Sequence, residues 1–206
     1  MAHIADYVQY LLGSLLYSVR GHDNKKIINS PAFKNLPEPN MTVQVPECGP
    51  SGSSLLYEHT CAANDGDGRF PNIRWAPPSG VEDVKEQILL CEDPDPPIPG
   101  FLMNHGIFYA IPPDVHEASQ NQIAAHDSAV PGSITDPDAN SHVTQAGWKY
   151  IPTLRGTAWI GAEAPLGHGK HRYTFTVIAL SEKLDFGRAA EVTKRDLENA
   201  IDGKVV

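Results

Sequence analysis

Three prolines in four positions, Pro94, Pro96 and Pro97, follow one apolar run of strand length and precede another. The first run is Ile88-Leu89-Leu90-Cys91 and the second is Gly106-Ile107-Phe108-Tyr109-Ala110-Ile111. Both have strand composition. Proline has no N–H to give to a ladder, so the acidic segment Glu92-Asp93-Pro94-Asp95-Pro96-Pro97 must be a loop at a sheet end. A residue before proline is driven to extended backbone, which stiffens Asp93 and Asp95. His105 stands at the mouth of the second run. Two carboxylates and an imidazole therefore gather at adjoining strand ends on a rigid loop, which is one way to build a small polar site. Asp and Pro are also ordinary turn residues, so a solvated acidic turn explains this stretch equally well when it is taken alone.

Length and composition bound the rest. A chain of 206 residues is expected to form one domain around a single core. Hydrophobic residues make up 41% and charged residues 20%, a globular composition. Eighteen prolines and seventeen glycines favour short strands and many loops over a helix bundle. The net charge of −9 argues against nucleic acid or an anionic membrane as a main partner. The three cysteines, Cys48, Cys61 and Cys91, show no zinc spacing and suit a reducing compartment, although a Cys48–Cys61 bridge remains open. Asp6 interrupts the apolar start and no basic residue precedes it, unlike a secretory leader. The expected location is cytoplasmic, without membrane insertion.

Ile4, Val8, Leu11, Leu12, Leu15, Leu16 and Val19 recur at three- and four-residue spacing, which predicts an amphipathic helix over residues 1–20. Its apolar face is expected to pack on the main domain, so the chain divides into a helical segment at 1–22 and a domain at 25–206. Further strands are expected at Met41–Val45, at Leu55–His59 and above all at Thr174–Leu180. The last is apolar on both faces near its end, the mark of a central strand. Asn64-Asp65-Gly66-Asp67-Gly68 lacks calcium-loop spacing and reads as a turn. Asp136-Pro137-Asp138, inside the long polar stretch 113–144, is expected at the surface. Thr193 and Asp196 form a capping box that starts a short helix over about 194–201. The fold class these signals predict is mainly β, an antiparallel β-sandwich with an N-terminal helix and a short C-terminal helix.

Two segments taken together resemble the phosphatidylethanolamine-binding protein family. Asp93-Pro94-Asp95-Pro96 with His105 resembles its first motif, and Gly167-His168-Gly169-Lys170-His171-Arg172-Tyr173 resembles its G-x-G-x-H-R-Y segment. Thr60-Cys61 and Phe70-Pro71 leading to Trp75 look like the upstream segment of bacterial and fungal members. The resemblance implies a β-sandwich with a small anion pocket at one end, lined by Asp93, Asp95, His105, His171 and Tyr173 beside the Gly167–Lys170 loop, His168 included. It implies a phosphate- or carboxylate-bearing ligand. Some fungal relatives belong to polyketide pathways, and those that make maleic-anhydride dimers use such proteins alongside the coupling enzyme. The expected partners are thus a small anionic molecule and, by this resemblance, a biosynthetic partner enzyme; no cofactor and no metal are expected.

The chain departs from the family pattern at Gly106, where Trp or Phe is usual, at Ala110, where Asn or Asp is usual, and at Gly161-Ala162-Glu163-Ala164-Pro165, where a proline-rich approach is usual. These changes predict more room beside His105 and a softer wall. His105 and His171 can donate to an anion or carry a proton, Asp93 can orient one of them, and Tyr173 adds a hydroxyl. The same three, His105, His171 and Asp93, are the candidates for acid–base catalysis, so binding without turnover and catalysis both remain open. His168 and His171 as H-x-x-H lie in a glycine loop, a poor setting for a metal pair.

Overall fold

The central strand pair is built from the two apolar runs. A computed structural model describes residues 4–63, 66–125, 142–187 and 192–206. In it strand β3 spans Glu86–Asp93 and strand β4 spans Met103–Ile111, paired antiparallel. Strand alternation sends Leu89 and Cys91 to one face of β3 and Ile88 and Leu90 to the other. Both faces are covered, so all eight residues of β3 are buried. Each fully buried Ile or Leu contributes roughly 1.5–3 kcal/mol of transfer free energy, which makes this strand the axis of the core.

The main sheet has the order β6-β4-β3-β7, with β6 at Lys149–Ile151 and β7 at Thr174–Leu180. A smaller sheet has the order β1-β2-β5, with β1 at Val43–Gln44, β2 at Ile73–Trp75 and β5 at Glu117–Ala118. All pairs are antiparallel. One core cluster joins the sheets through Ile73, Trp75, Leu89 and Phe108. Gln87 pins them further, accepting from Trp75 Nε1 at 2.7 Å and donating to the carbonyls of Pro112 and Val115. A second cluster on the opposite face of β3 contains Ile27, Ile88, Leu90, Leu197 and Ile201. The antiparallel, mainly β architecture predicted from the sequence is present.

Local expectations fare unevenly. Helix α3 spans Lys194–Ala200, and the Thr193–Asp196 capping box is formed in both directions. Helix α1 spans Ile4–Leu15, and a short helix α2 spans Gln120–Ile123. Leu55–His59 is not a strand: Tyr57–His59 forms a single 3-10 turn. Strand β7 is an edge strand rather than central: among the described strands it pairs with β3 alone, and its other side meets only an isolated bridge from Leu180 to Val205. The C-terminal segment shields its end, with Val206 donating to Ala179 O and Ser181 to Lys204 O, which is why its last residues read as buried on both faces. The three cysteines are free thiols. The Asp136-Pro137-Asp138 segment and Asn64-Asp65 fall outside the described residues.

Helix α1 departs most from expectation. Its one buried residue is Gly13, and its large apolar side chains point outward. The helix meets the domain through backbone. A Cβ on Gly13 would lie 2.1 Å from Leu166 O, and one on Gly167 would lie 2.3 Å from Tyr10 O. Helix and loop therefore touch main chain to main chain, an approach that only glycine permits.

Candidate functional site

The end of β3, the start of β4 and the approach to β7 lie side by side, because Glu92 pairs with both Asn104 and Thr174. This register brings Asp93, His105, His171 and Tyr173 together, although they come from distant parts of the chain. His171 Nδ1 stands 2.7 Å from Asp93 Oδ2, and His105 Nε2 stands 4.0 Å from the same oxygen. The Tyr173 ring meets the His105 ring edge-on, with centroids 5.0 Å apart. The side chains of Asp93, His105 and His171 are at most 3% exposed.

The two sequence motifs are stitched to each other. Asp93 Oδ1 accepts from the Asp95 amide at 2.8 Å, while its Oδ2 faces His171. Asp95 accepts from the Arg172 amide and guanidinium and from the Gly21 amide. Burial opposes ionisation of Asp95, but the Arg172 side chain and amide outweigh it and hold its pKa at about 2. Arg172 also pairs with Asp23. Asp95 thus spends both oxygens on holding the loop.

His168 lies beneath α1. Its Nδ1 meets His171 Nε2 at 2.7 Å, and its Nε2 faces Leu16 O at 3.0 Å and Val19 O at 3.2 Å. Arg20, lying over the Tyr17 ring, donates to the carbonyls of His168 and Lys170. Carboxylate and carbonyl oxygens only accept, so the bonds Asp93–His171, His171–His168 and His168–carbonyl need three hydrogens among them. Two neutral imidazoles supply two. The triad is therefore an ion pair with Asp93 or its proton-transferred equivalent, and it is uncharged in total. Both nitrogens of His171 are engaged within it. The ring atoms of the H-x-x-H pair are aimed at each other and not at a shared third centre.

His105 and Tyr173 differ. His105 Nδ1 donates to Ile160 O at 2.8 Å, which fixes the tautomer of the neutral ring and leaves Nε2 as a lone pair. Among the described residues His105 Nε2 and the Tyr173 hydroxyl are buried and make no well-aligned hydrogen bond, the Glu163 backbone being the polar group that approaches the hydroxyl. Burial lowers the His105 pKa below its ordinary value, against the Ile160 carbonyl and the Asp93 charge, which favour the proton. Burial, then the Asp93 charge, push the Tyr173 hydroxyl well above the usual range. A neutral base and a neutral donor thus lie next to one carboxylate, with the His105 and Tyr173 ring centroids 5.0 Å apart.

The surroundings of His105 correct two expectations. The room expected beside His105 is taken: a Cβ on Gly106 would meet the Phe108 ring at 2.9 Å and Trp159 Cε3 at 3.2 Å. The approach is not soft either, because Gly161 donates to Asp67 O, Ala162 to His59 O and Cys61 to Ala162 O. Backbone bonds to the 59–67 loop fix what prolines would otherwise stiffen. Ile160 O, Leu16 O, Val19 O and Arg20 are contributors that sequence reasoning missed; carbonyls carry no side-chain signal. Among the described residues one other group has cation-like spacing, Glu47, Glu58 and His59. The Arg69 guanidinium already pairs with both of its carboxylates.

Comparison with known proteins bears on the site. A family model described as "Phosphatidylethanolamine-binding protein" matches residues 47–206. A fungal protein named "Phomoidride biosynthesis cluster protein B" is 36% identical over 206 residues, covering 100% of this chain and 92% of its own. A protein of the same name from Talaromyces stipitatus is 35% identical over 199 residues, covering 96% of this chain and 76% of its own. A crystal structure of a phosphatidylethanolamine-binding protein homologue from Chlamydia trachomatis superposes with a TM-score of 0.56 at 22% identity, covering 82% of this chain and 92% of that one.

Proposed function

The chain belongs to the phosphatidylethanolamine-binding protein family, and on that footing we propose that it binds a small carboxylate- or phosphate-bearing molecule between His105 and Tyr173. The observation that carries this reading is the pair of buried, unbonded polar atoms, His105 Nε2 and Tyr173 Oη, beside Asp93. Buried polar groups of this kind are rare unless a partner joins them. The Asp93–His171–His168 triad is neutral, so an incoming anion finds no spare positive charge there. The compensating proton goes to His105 Nε2, where the anion and Asp93 both stabilise it. Binding is then coupled to the uptake of one proton.

A second reading is favoured by the two fungal relatives, both named for a biosynthesis cluster. Here the ligand is a maleic-anhydride-type substrate of a secondary metabolic pathway, and the protein acts beside a partner enzyme. His105 Nε2 takes a proton from the carbon next to a carbonyl, and Tyr173 donates its hydroxyl hydrogen bond to the enolate oxygen that forms. Asp93, 4.0 Å away, stabilises the resulting imidazolium. Incubating the purified protein and its pathway partner with such a substrate separates the readings. Loss of conversion in His105→Gln, with the fold intact, supports catalysis. Unchanged conversion in that variant leaves binding alone.

A further inference from the structure

Helix α1 carries an apolar surface that the domain does not use. Ile4, Tyr7, Val8, Leu11, Leu12 and Leu15 are 50–85% exposed. At roughly 100–150 Å² each they present on the order of 700 Å² of apolar surface, above the ~300–600 Å² of the largest patch on a typical monomer. That is close to the ~800 Å² that each side of a standard protein interface buries.

We propose that this face of α1 is the surface through which two copies of the chain pair. The inference is independent of the ligand site. Ile4, Val8, Leu11, Leu12 and Leu15 fall at i, i+4, i+7, i+8 and i+11, one continuous stripe along the helix. A two-fold axis places the same patch on both partners, so the patch must complement itself. An uncharged apolar stripe does so, and the single ionisable carboxylate of the helix is Asp6. A lipid surface fits less well. The helix has no Lys or Arg, and the chain carries a net charge of −9.

The face is also held ready in the single chain. The Gly13 contact, the Arg20 hydrogen bonds and the His168 bonds to Leu16 O and Val19 O anchor the C-terminal half of α1 and the segment after it. A second copy therefore meets a positioned helix and not a loose tail. Because each copy is acidic, pairing is opposed by long-range repulsion, and added salt strengthens it.

Sedimentation equilibrium of the full chain between about 1 and 100 μM tests this. The expected species has twice the 22.4 kDa chain mass, and it tightens as salt is raised. Leu11→Glu with Leu15→Glu weakens association at least a hundredfold without changing the circular dichroism, and its melting temperature equals that of the wild type at dilutions where both are monomeric. Leu154→Glu, which alters an exposed leucine outside α1, leaves association unchanged. A wild-type chain that is monomeric at 100 μM overturns the proposal, whether or not it then binds neutral lipid vesicles or another protein. A dimer indifferent to the double substitution overturns it as well.

Discussion

His171 Nδ1 lies 2.7 Å from Asp93 Oδ2, and the other nitrogen of the same ring lies 2.7 Å from His168 Nδ1. His171 is therefore a structural link between two buried groups before it is anything else. Removing it strands a carboxylate that is only 3% exposed. His171→Ala is expected to cost about 3–5 kcal/mol of stability, the cost of breaking a buried pair by removing one partner. Tyr173→Phe removes a hydroxyl that makes no well-aligned hydrogen bond to the protein, so its stability should stay within about 1 kcal/mol of wild type while anion affinity falls about tenfold. Urea denaturation and calorimetric titration of both variants check this. Equal stability losses in the two would contradict it.

Gly13→Ala sets helix propensity against packing. In an exposed helix the change gains about 1 kcal/mol. Here the new methyl would stand 2.1 Å from Leu166 O and 2.9 Å from His168 N. The helix is expected to lift from the Gly167–Lys170 loop, with faster amide exchange across residues 8–20 and exposure of the His168 ring to diethyl pyrocarbonate. Slower exchange in this variant would mean that the main-chain contact is not what seats the helix.

Ala110 holds a positive φ of 57°, the only described residue other than glycine to do so. It stands at the irregular register of β3 and β4 between Gln87 and Leu89, with its amide donated to Glu86 Oε1. A left-handed conformation costs an L-residue roughly 1–2 kcal/mol, which glycine avoids at some expense in unfolded-chain entropy. Ala110→Gly is expected to raise stability by about 0.5–1 kcal/mol, seen as an increase in melting temperature. A fall in melting temperature would show that the backbone is not strained there.

These residues also mark what the sequence could disclose. The prolines at 94, 96 and 97 mark the sheet end because a missing N–H is a local fact, but Glu92 and Asp93, read as loop, are the last two residues of β3. The apolar run Ile88-Leu89-Leu90-Cys91 marks a strand by its length and composition, while its burial on both faces comes from the layers packed against it. The edge position of β7 was hidden because the C-terminal segment mimics a neighbouring strand. The outward face of α1 was hidden because periodicity gives a stripe and not its partner. The convergence of Asp93, His105, His171 and Tyr173 was legible through family resemblance. The division of labour among them was not, since it rests on carbonyls at Ile160, Leu16 and Val19.

The Asp95–Arg172 pair sets an acid limit. The folded pKa of Asp95 is depressed from 3.8 to about 2. A depressed carboxylate stabilises the fold above its unfolded value, and that contribution is lost as pH falls through the folded value. The window is therefore pH 4 down to 2. Because Arg172 is half exposed, the contribution is on the order of 1–2 kcal/mol. Arg172→Ala should flatten the stability profile in that window, as followed by urea midpoints at pH 2, 3 and 4. A variant profile parallel to wild type would refute the assignment.

On the proposed binding mode an anion enters a neutral site and brings a proton to His105. Calorimetric titration with acetate at pH 7, in two buffers of different ionisation enthalpy, measures that proton directly. The predicted result is an uptake close to one proton per acetate bound, with affinity falling about tenfold per pH unit above the depressed pKa of His105, and no measurable binding by His105→Ala. Acetate binding without proton uptake, or equal affinity in His105→Ala, would contradict it.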